Sequence, residues 1–193
     1  MDEPLTPQPS QPEPQEAAPH SAARWLDLRA WVRDVVISVV IAGIVIVFLY
    51  QPVKVEGTSM MPWLTDQERI FVNKFVYRFG EIERGDIVVF WFPLDPSKSY
   101  IKRVIGLPGD AVEIVRGTVM VNGKATDEPY VPEKYRDYMT YERKTVEPGH
   151  YYVLGDHRNA SNDSRTWGTV ERKRIYGKAV FVYWPLDKFG ALP

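Results

Sequence analysis

Residues 99–123 read SYIKRVIGLPGDAVEIVRGTVMVNG. Three short runs, SYIKRVIG, AVEIV and TVMVNG, are rich in β-branched and aromatic residues and are punctuated by Leu107-Pro108-Gly109-Asp110, Arg116-Gly117 and Asn122-Gly123. Branched side chains pack well on a pleated surface and lose rotamer freedom in a helix. Pairs ending in Gly provide the positive φ of tight hairpin turns. The stretch therefore predicts strands joined by tight turns. The same texture recurs outward from it, in RIFVNKF (69–75), DIVVFWF (86–92), HYYVLG (150–155) and KAVFVYW (178–184). From Val53 onward the chain is predicted to be mainly β. Glu128 to Pro148 is polar, Tyr-rich and irregular, which predicts a small cap inserted within about residues 111–150.

Upstream the pattern changes. Val35 to Val53 carries no charge and is long enough to cross a bilayer as a helix, with Trp31 and Tyr50 where interfacial aromatics belong and Pro52 expected to end it. Arg24, Arg29 and Arg33 precede the run and Lys54 alone follows it closely, so the positive-inside rule places the N-terminus in the cytoplasm and the β part outside. No small-x-small cleavage pattern follows, so the run is read as a permanent single-pass anchor in the cell's plasma membrane. Residues 1–23, rich in Pro, Gln, Glu and Ala, are expected to be a disordered cytoplasmic tail. The expected division is thus tail 1–23, anchor and flank 24–53, and extracytoplasmic domain 54–193.

The 193 residues suffice for one good core beside such an anchor. A formal net charge of -1 without a long basic run gives no footprint for nucleic acid. The absence of cysteine removes thiolate nucleophiles, disulfides and Cys-based metal sites. The three histidines, His20, His150 and His157, lack metal-binding spacing, so neither a metal nor any other cofactor is expected.

Amide cleavage needs a nucleophile, a base matched to it and donors for the oxyanion. Ser59, in VEGTSMMPWL (55–64), follows Gly57-Thr58, where glycine permits close backbone approach. On its own, Gly-x-Ser is more often only a turn. Lys102 and Arg103 sit on the predicted strand 99–106 and point to opposite faces, so one can reach solvent while the other faces the interior. A lysine in apolar surroundings loses its proton near neutral pH and can act as a base, although two surface cations are the commoner case. Ser99 and Lys102 also fit Ser-x-x-Lys, but that motif needs a helical turn, and neither Ser-Asp-Asn nor Lys-Thr-Gly occurs elsewhere. GDHRNASNDSRTWG (155–168) is a polar loop after an apolar run, a composition that carries function or merely a long hydrogen-bonded turn. His157 within it is expected to be structural.

Taken together, Ser-Met-x-Pro-x-Leu beside an anchor, RGDIVVF (84–90), YIKRVIGLPGD (100–110) and Gly-Asp-x-Arg-x-x-Ser-x-Asp-Ser-Arg-x-Trp-Gly (155–168) resemble the ordered motifs of bacterial type I signal peptidases. The resemblance implies a signal-peptidase-like β-sheet catalytic domain and a membrane-bound serine endopeptidase that cuts signal peptides from exported preproteins after Ala-x-Ala sites. It implies Ser59 as nucleophile, Lys102 as general base, Ser161 orienting the lysine, and Asp163 and Arg165 as a bracing ion pair. Ser164 and Asp156 are supporting candidates. The Ser59 N–H would donate to the oxyanion, with Gly57 and Met60 beside the substrate. Some family members carry a hydroxyl two positions before the nucleophile; here that position is Gly57, leaving the second oxyanion donor open. His157 and Ala160 likewise stand where the family often has other residues.

Six residues separate Val53 from Ser59, at most about 20 Å, so the nucleophile is expected near the membrane surface. The expected partners are signal-peptide-bearing preproteins and the lipid bilayer, with the enzyme acting as a monomer. A self-cleaving repressor peptidase is disfavoured by the anchor. A catalytically silent, membrane-anchored β module that binds exported chains is the alternative from another class.

Overall fold

The computed structural model describes residues 20–193, leaving aside the side chains of 20–27 and 45–48. The expected tail therefore lies outside the described residues over 1–19, and its last four residues belong to a helix. That helix, α1 (His20–Leu49), lies mostly in one compact unit ending at Ile44; the rest of the chain forms a second. The side chains of α1 from Leu28 to Ile44 are exposed, among them Val35, Val36, Val39, Val40, Ile41 and Ile44.

The helix stops earlier than the apolar run. β1 (Tyr50–Lys54) already contains Pro52, so the proline does not end the helix as expected. Its position suits an edge strand, where a missing N–H breaks no ladder, and β1 is indeed the outermost strand of its sheet. The uncharged helical stretch from Val35 to Leu49 then rises about 22 Å, short of a ~30 Å hydrocarbon core. Among the described residues no helix is long and apolar enough to cross a membrane.

The second unit is mainly β. After β1 come β2 (Arg69–Asn73), the short α2 (Val76–Phe79), β3 (Ile87–Trp91), β4 (Ser99–Gly106), β5 (Ala111–Val115), β6 (Thr118–Val121), β7 (Lys124–Ala125), β8 (Tyr141–Thr145) and β9 (His150–Leu154). The short α3 (Ser164–Trp167), β10 (Val170–Glu171), β11 (Ile175–Trp184) and β12 (Gly190–Ala191) complete it. Strands run antiparallel in the order β1-β2-β11-β3-β4-β9-β10, with β12 on β11, to make an eight-stranded sheet. The inserted segment forms a four-stranded sheet of its own, ordered β7-β6-β5-β8. The part read as irregular thus contains β8, whose sequence YERKT alternates too weakly to announce a strand.

The turns predicted from Arg116-Gly117 and Asn122-Gly123 are present, with φ of 49° and 80° at the first pair and 54° and 77° at the second. The central strands are apolar without alternation because both faces are covered. Ile87 and Val89 of β3 join one apolar cluster with Ile70, Val72 and Leu64, while Val88 and Phe90 join another with Val104 and Val153. A third cluster, in which Ile105, Tyr152 and Leu154 meet Val112, Ile114 and Val119, joins the two sheets. Their shared core fixes β4 from both sides, and β4 carries Lys102.

Candidate active site

The nucleophile candidate sits on a loop closed at its neck by two backbone bonds, Val55 N–H to Glu68 O (2.8 Å) and Gln67 N–H to Val55 O (2.9 Å). Gly57 takes φ +93°, a region that side chains avoid, and its N–H donates to Asp66 Oδ1 at 2.8 Å. Next, Met61 N–H donates to Thr58 O (3.1 Å) and Leu64 N–H to Met60 O (3.0 Å), winding the loop tightly. Met60 and Leu64, 1% and 0% exposed, peg it into the core beside Ile70 and Val72. Met60, expected beside the substrate, is directed beneath the loop by the tight turn and packs as core, away from the groove lining. Gly57 and Ser59 do face the open groove.

Antiparallel pairing places Lys102 opposite Val88 on β3. Its side chain is 3% exposed, and Nζ lies 2.6 Å from Ser59 Oγ. Burial pushes the amine down to about 8, partly opposed by the nearby carboxylates Asp163 and Asp156 and assisted by the Arg165 charge. The distance is short enough for a neutral amine to take a proton from Ser59 Oγ without rearrangement.

Neither of the two neighbouring strand cations reaches solvent, for Arg103 is 2% exposed. It pairs in fork fashion with Asp156, Nε to Oδ1 at 2.9 Å and Nη2 to Oδ2 at 2.7 Å. Nη1 donates to the carbonyls of Gly85 and Pro193, and the ring of Tyr130 covers the guanidinium at 4.1 Å. Engagement of four of its five N–H donors is what makes a buried arginine tolerable. Burial nevertheless pushes the Asp156 carboxyl up, despite the Arg103 bonds.

The loop 155–168 packs against both. Asp163, fully buried, caps α3 through Arg165 N–H, accepts from Gly155 N–H at 3.1 Å, and pairs with Arg165 Nε at 2.8 Å. Arg165 also reaches Asp137 at 2.7 Å and the carbonyls of Arg158 and Ser161. Ser164 Oγ accepts from Val153 N–H at 2.9 Å, tying the loop to β9. Ser161 Oγ is buried without a hydrogen-bond partner; Lys102 bonds Ser59 rather than Ser161 in this state. Gly155 is where the loop touches the nucleophile, since a β-carbon there would collide with Ser161 Oγ and Ser59 O.

A groove of about 700 Å³ runs past this cluster, between residues 53–59 and β4, with Ala160 and Asn162 on its rim and Ile70, Val89 and Ile101 within it. Among the described residues no group of three or more His, Cys, Asp or Glu side chains could hold a metal ion.

Comparison with known proteins extends over the same region. A family model described as signal peptidase, peptidase S26, matches residues 28–184. The chain belongs to the signal peptidase family, peptidase S26. It is similar to signal peptidase I of Bacillus licheniformis, 41% identical over 167 residues that cover 82% of this chain and 89% of that protein. Similarity to signal peptidase IB of Staphylococcus aureus is 38% over 179 residues, covering 84% and 93% of the respective chains. A crystal structure of a signal peptidase I from Enterococcus faecalis matches with 34% identity and a TM-score of 0.45, covering 51% of this chain and 96% of that one.

Several contacts of this peptidase escaped the sequence reading. Glu128 and Arg158 form a fork-to-fork pair at 2.6 and 2.8 Å, both side chains under 5% exposed, that fastens the insertion to the loop 155–168. Tyr130 adds its hydroxyl to Glu128, and its carbonyl accepts from Trp63 of the nucleophile loop. Arg158 stands within a motif, but nothing local marks Glu128 or Tyr130 as fasteners, because Arg158 and Trp63, which they hold, lie 30 and 67 residues away.

Proposed function

We propose that this chain is a membrane-anchored serine endopeptidase that removes signal peptides from exported preproteins, with Ser59 as nucleophile and Lys102 as general base. Membership of the signal peptidase family supplies the activity class, a hydrolase of peptide bonds. The observation that carries the assignment of the site is the 2.6 Å approach of a buried amine, lowered to about 8, to a serine hydroxyl on a groove.

In the proposed cycle Lys102 takes the Ser59 proton as Oγ attacks the scissile carbonyl, then gives it to the departing amine. The same lysine activates a water that resolves the acyl-enzyme. The Ser59 N–H donates to the oxyanion. Asp163 and Arg165 brace the loop that presses on Ser59, and Ser161 is the hydroxyl available to orient the lysine once Ser59 has been acylated. The apolar groove floor of Ile70, Val89 and Ile101 suits an extended peptide with small side chains before the cut, as at Ala-x-Ala sites.

The anchor reading rests on α1, whose side chains from Leu28 to Ile44 are exposed, and on the arginines that precede it. It places residues 1–23 in the cytoplasm, 24–53 as anchor and flank, and 54–193 outside, with the insertion of about 111–150 as a cap and the monomer as the working unit. Because the helix ends at Leu49, the tether to Ser59 spans at most about 35 Å, longer than the sequence suggested.

The test is turnover of a preprotein with an Ala-x-Ala site by detergent-solubilised protein, with the products weighed by mass spectrometry. One cut, directly after the second alanine, is expected. Protection of the preprotein without shortening would mean a silent binding module instead.

A further inference from the structure

Three hydrogen bonds meet at the two carbonyls that flank Ser59. Ser59 O accepts from His157 N–H at 3.1 Å. Thr58 O accepts from Met61 N–H at 3.1 Å and lies 3.0 Å from His157 Nδ1. A carbonyl can only accept, so Nδ1 carries the proton. Both lone pairs of Thr58 O are then engaged. The imidazole is held from behind by the ring of Tyr135, which is 8% exposed and packs edge-on at a centroid distance of 4.5 Å and 70°.

Thr58 O and Ser59 N–H belong to one planar peptide unit and point in opposite directions across it. A donor that fixes the carbonyl therefore fixes where the N–H points. It also withdraws electron density from the amide, which strengthens the N–H as a donor. Among the described residues the Ser59 N–H donates to no protein acceptor, so it is unspent by the fold. We infer that His157 is a positioning residue for the oxyanion: through Thr58 O it holds the Thr58–Ser59 peptide with its N–H turned to the reacting carbonyl. The inference rests on Ser59 being the nucleophile. It accounts for a histidine that neither binds metal nor touches Lys102, and whose ring is committed to the backbone beside the nucleophile.

The oxyanion is absent from the bound substrate and develops only in the tetrahedral transition states and intermediates, so losing the imidazole acts on kcat and spares KM. Met61 still holds Thr58 O, so His157→Ala is expected to lower kcat about tenfold, less than the ~10²–10³-fold typical of removing an oxyanion donor itself. A peptide aldehyde, which forms a tetrahedral oxyanion on the serine, should bind His157→Ala weaker by the same factor. His157→Asn is expected to restore most of kcat, because asparagine carries an N–H donor on the same γ-carbon as Nδ1, whereas His157→Gln displaces it and should not. Thermal unfolding of each variant, run alongside, should show no large loss of Tm. Wild-type kcat in His157→Ala overturns the inference. So does a loss that appears in KM or Tm alone, or an asparagine variant as slow as the alanine one. A Ser59→Ala control separates the premises: residual cleavage there overturns the nucleophile itself, while an inactive control with a fast His157→Ala overturns only the role of the histidine.

Discussion

Lys102 Nζ lies 2.6 Å from Ser59 Oγ, at the end of a side chain only 3% exposed. The two residues are 43 positions apart, and each is immobilised by a different part of the core. Met60 and Leu64 peg the loop on one side, and the shared core of the two sheets fixes β4 on the other. Preorganisation of this kind is what the proposed dyad requires.

A general base must be neutral to work, and burial lowers Lys102, the proposed base, to about 8. The acid limb of kcat/KM should therefore rise with pH with an apparent pKa near that value, tenfold per unit below it. A stopped assay from pH 6 to 10 on a peptide substrate checks this. An acid limb near 10.5 would mean that the lysine is solvated.

The same shift is a stability cost. The folded amine has a lower pKa than the unfolded one, so below about 8 the native state suffers the full penalty, and it is relieved as pH rises through 8 to 10.5. Lys102→Met should abolish cleavage and yet raise stability by up to about 3 kcal/mol at pH 7, an advantage that shrinks above pH 8 and vanishes above pH 10.5. Urea unfolding of wild type and variant at pH 7 and 10.5 measures it.

Gly155 has no room for a side chain, because a β-carbon would strike Ser59 O and Ser161 Oγ. Gly155→Ala should push the nucleophile's backbone off its position and reduce kcat by about 10²-fold or more, since displacements near 1 Å at a reacting group have effects of that size. Gly190→Ala, in β12 with open space around it and no positive φ, is the control and should leave kcat unchanged.

Glu128 and Arg158 should be worth little as a pair and much as partners. Glu128→Leu leaves a buried guanidinium unpaired and should cost about 3–5 kcal/mol, whereas Glu128→Leu with Arg158→Met should recover most of it. Denaturant midpoints of the two single variants and the double variant decide this.

Much of this was legible in the residues. SYIKRVIG and AVEIV gave β4 and β5 with the correct ends, and the Gly-ending pairs gave both hairpins, because strand and turn preferences act over a few residues. The partners of Ser59 came from the ordered motifs taken together, since neither Gly-x-Ser nor a lone strand lysine says which side chains will meet. What stayed hidden depends on distant chain. YQPVK looks like the tail of an apolar helix until β2 is there to pair with it. Arg103 looks like a surface cation until Asp156, Gly85 and Tyr130 surround it. The burial of Met60 was not legible either, because a tight turn sends adjacent side chains in different directions. His157 reads as a structural residue, and what it holds is not evident until the backbone of Thr58 is seen beside it.

The central claim is that Ser59 attacks and Lys102 removes its proton. The most direct measurement is cleavage of an Ala-x-Ala preprotein by wild type, Ser59→Ala and Lys102→Ala under identical conditions, with single-turnover sampling and intact-mass analysis. A single correctly placed cut by wild type, absent in both variants, together with an acyl adduct that maps to Ser59, is the predicted result. Cleavage that persists in either variant, or an adduct on another residue, would contradict the dyad.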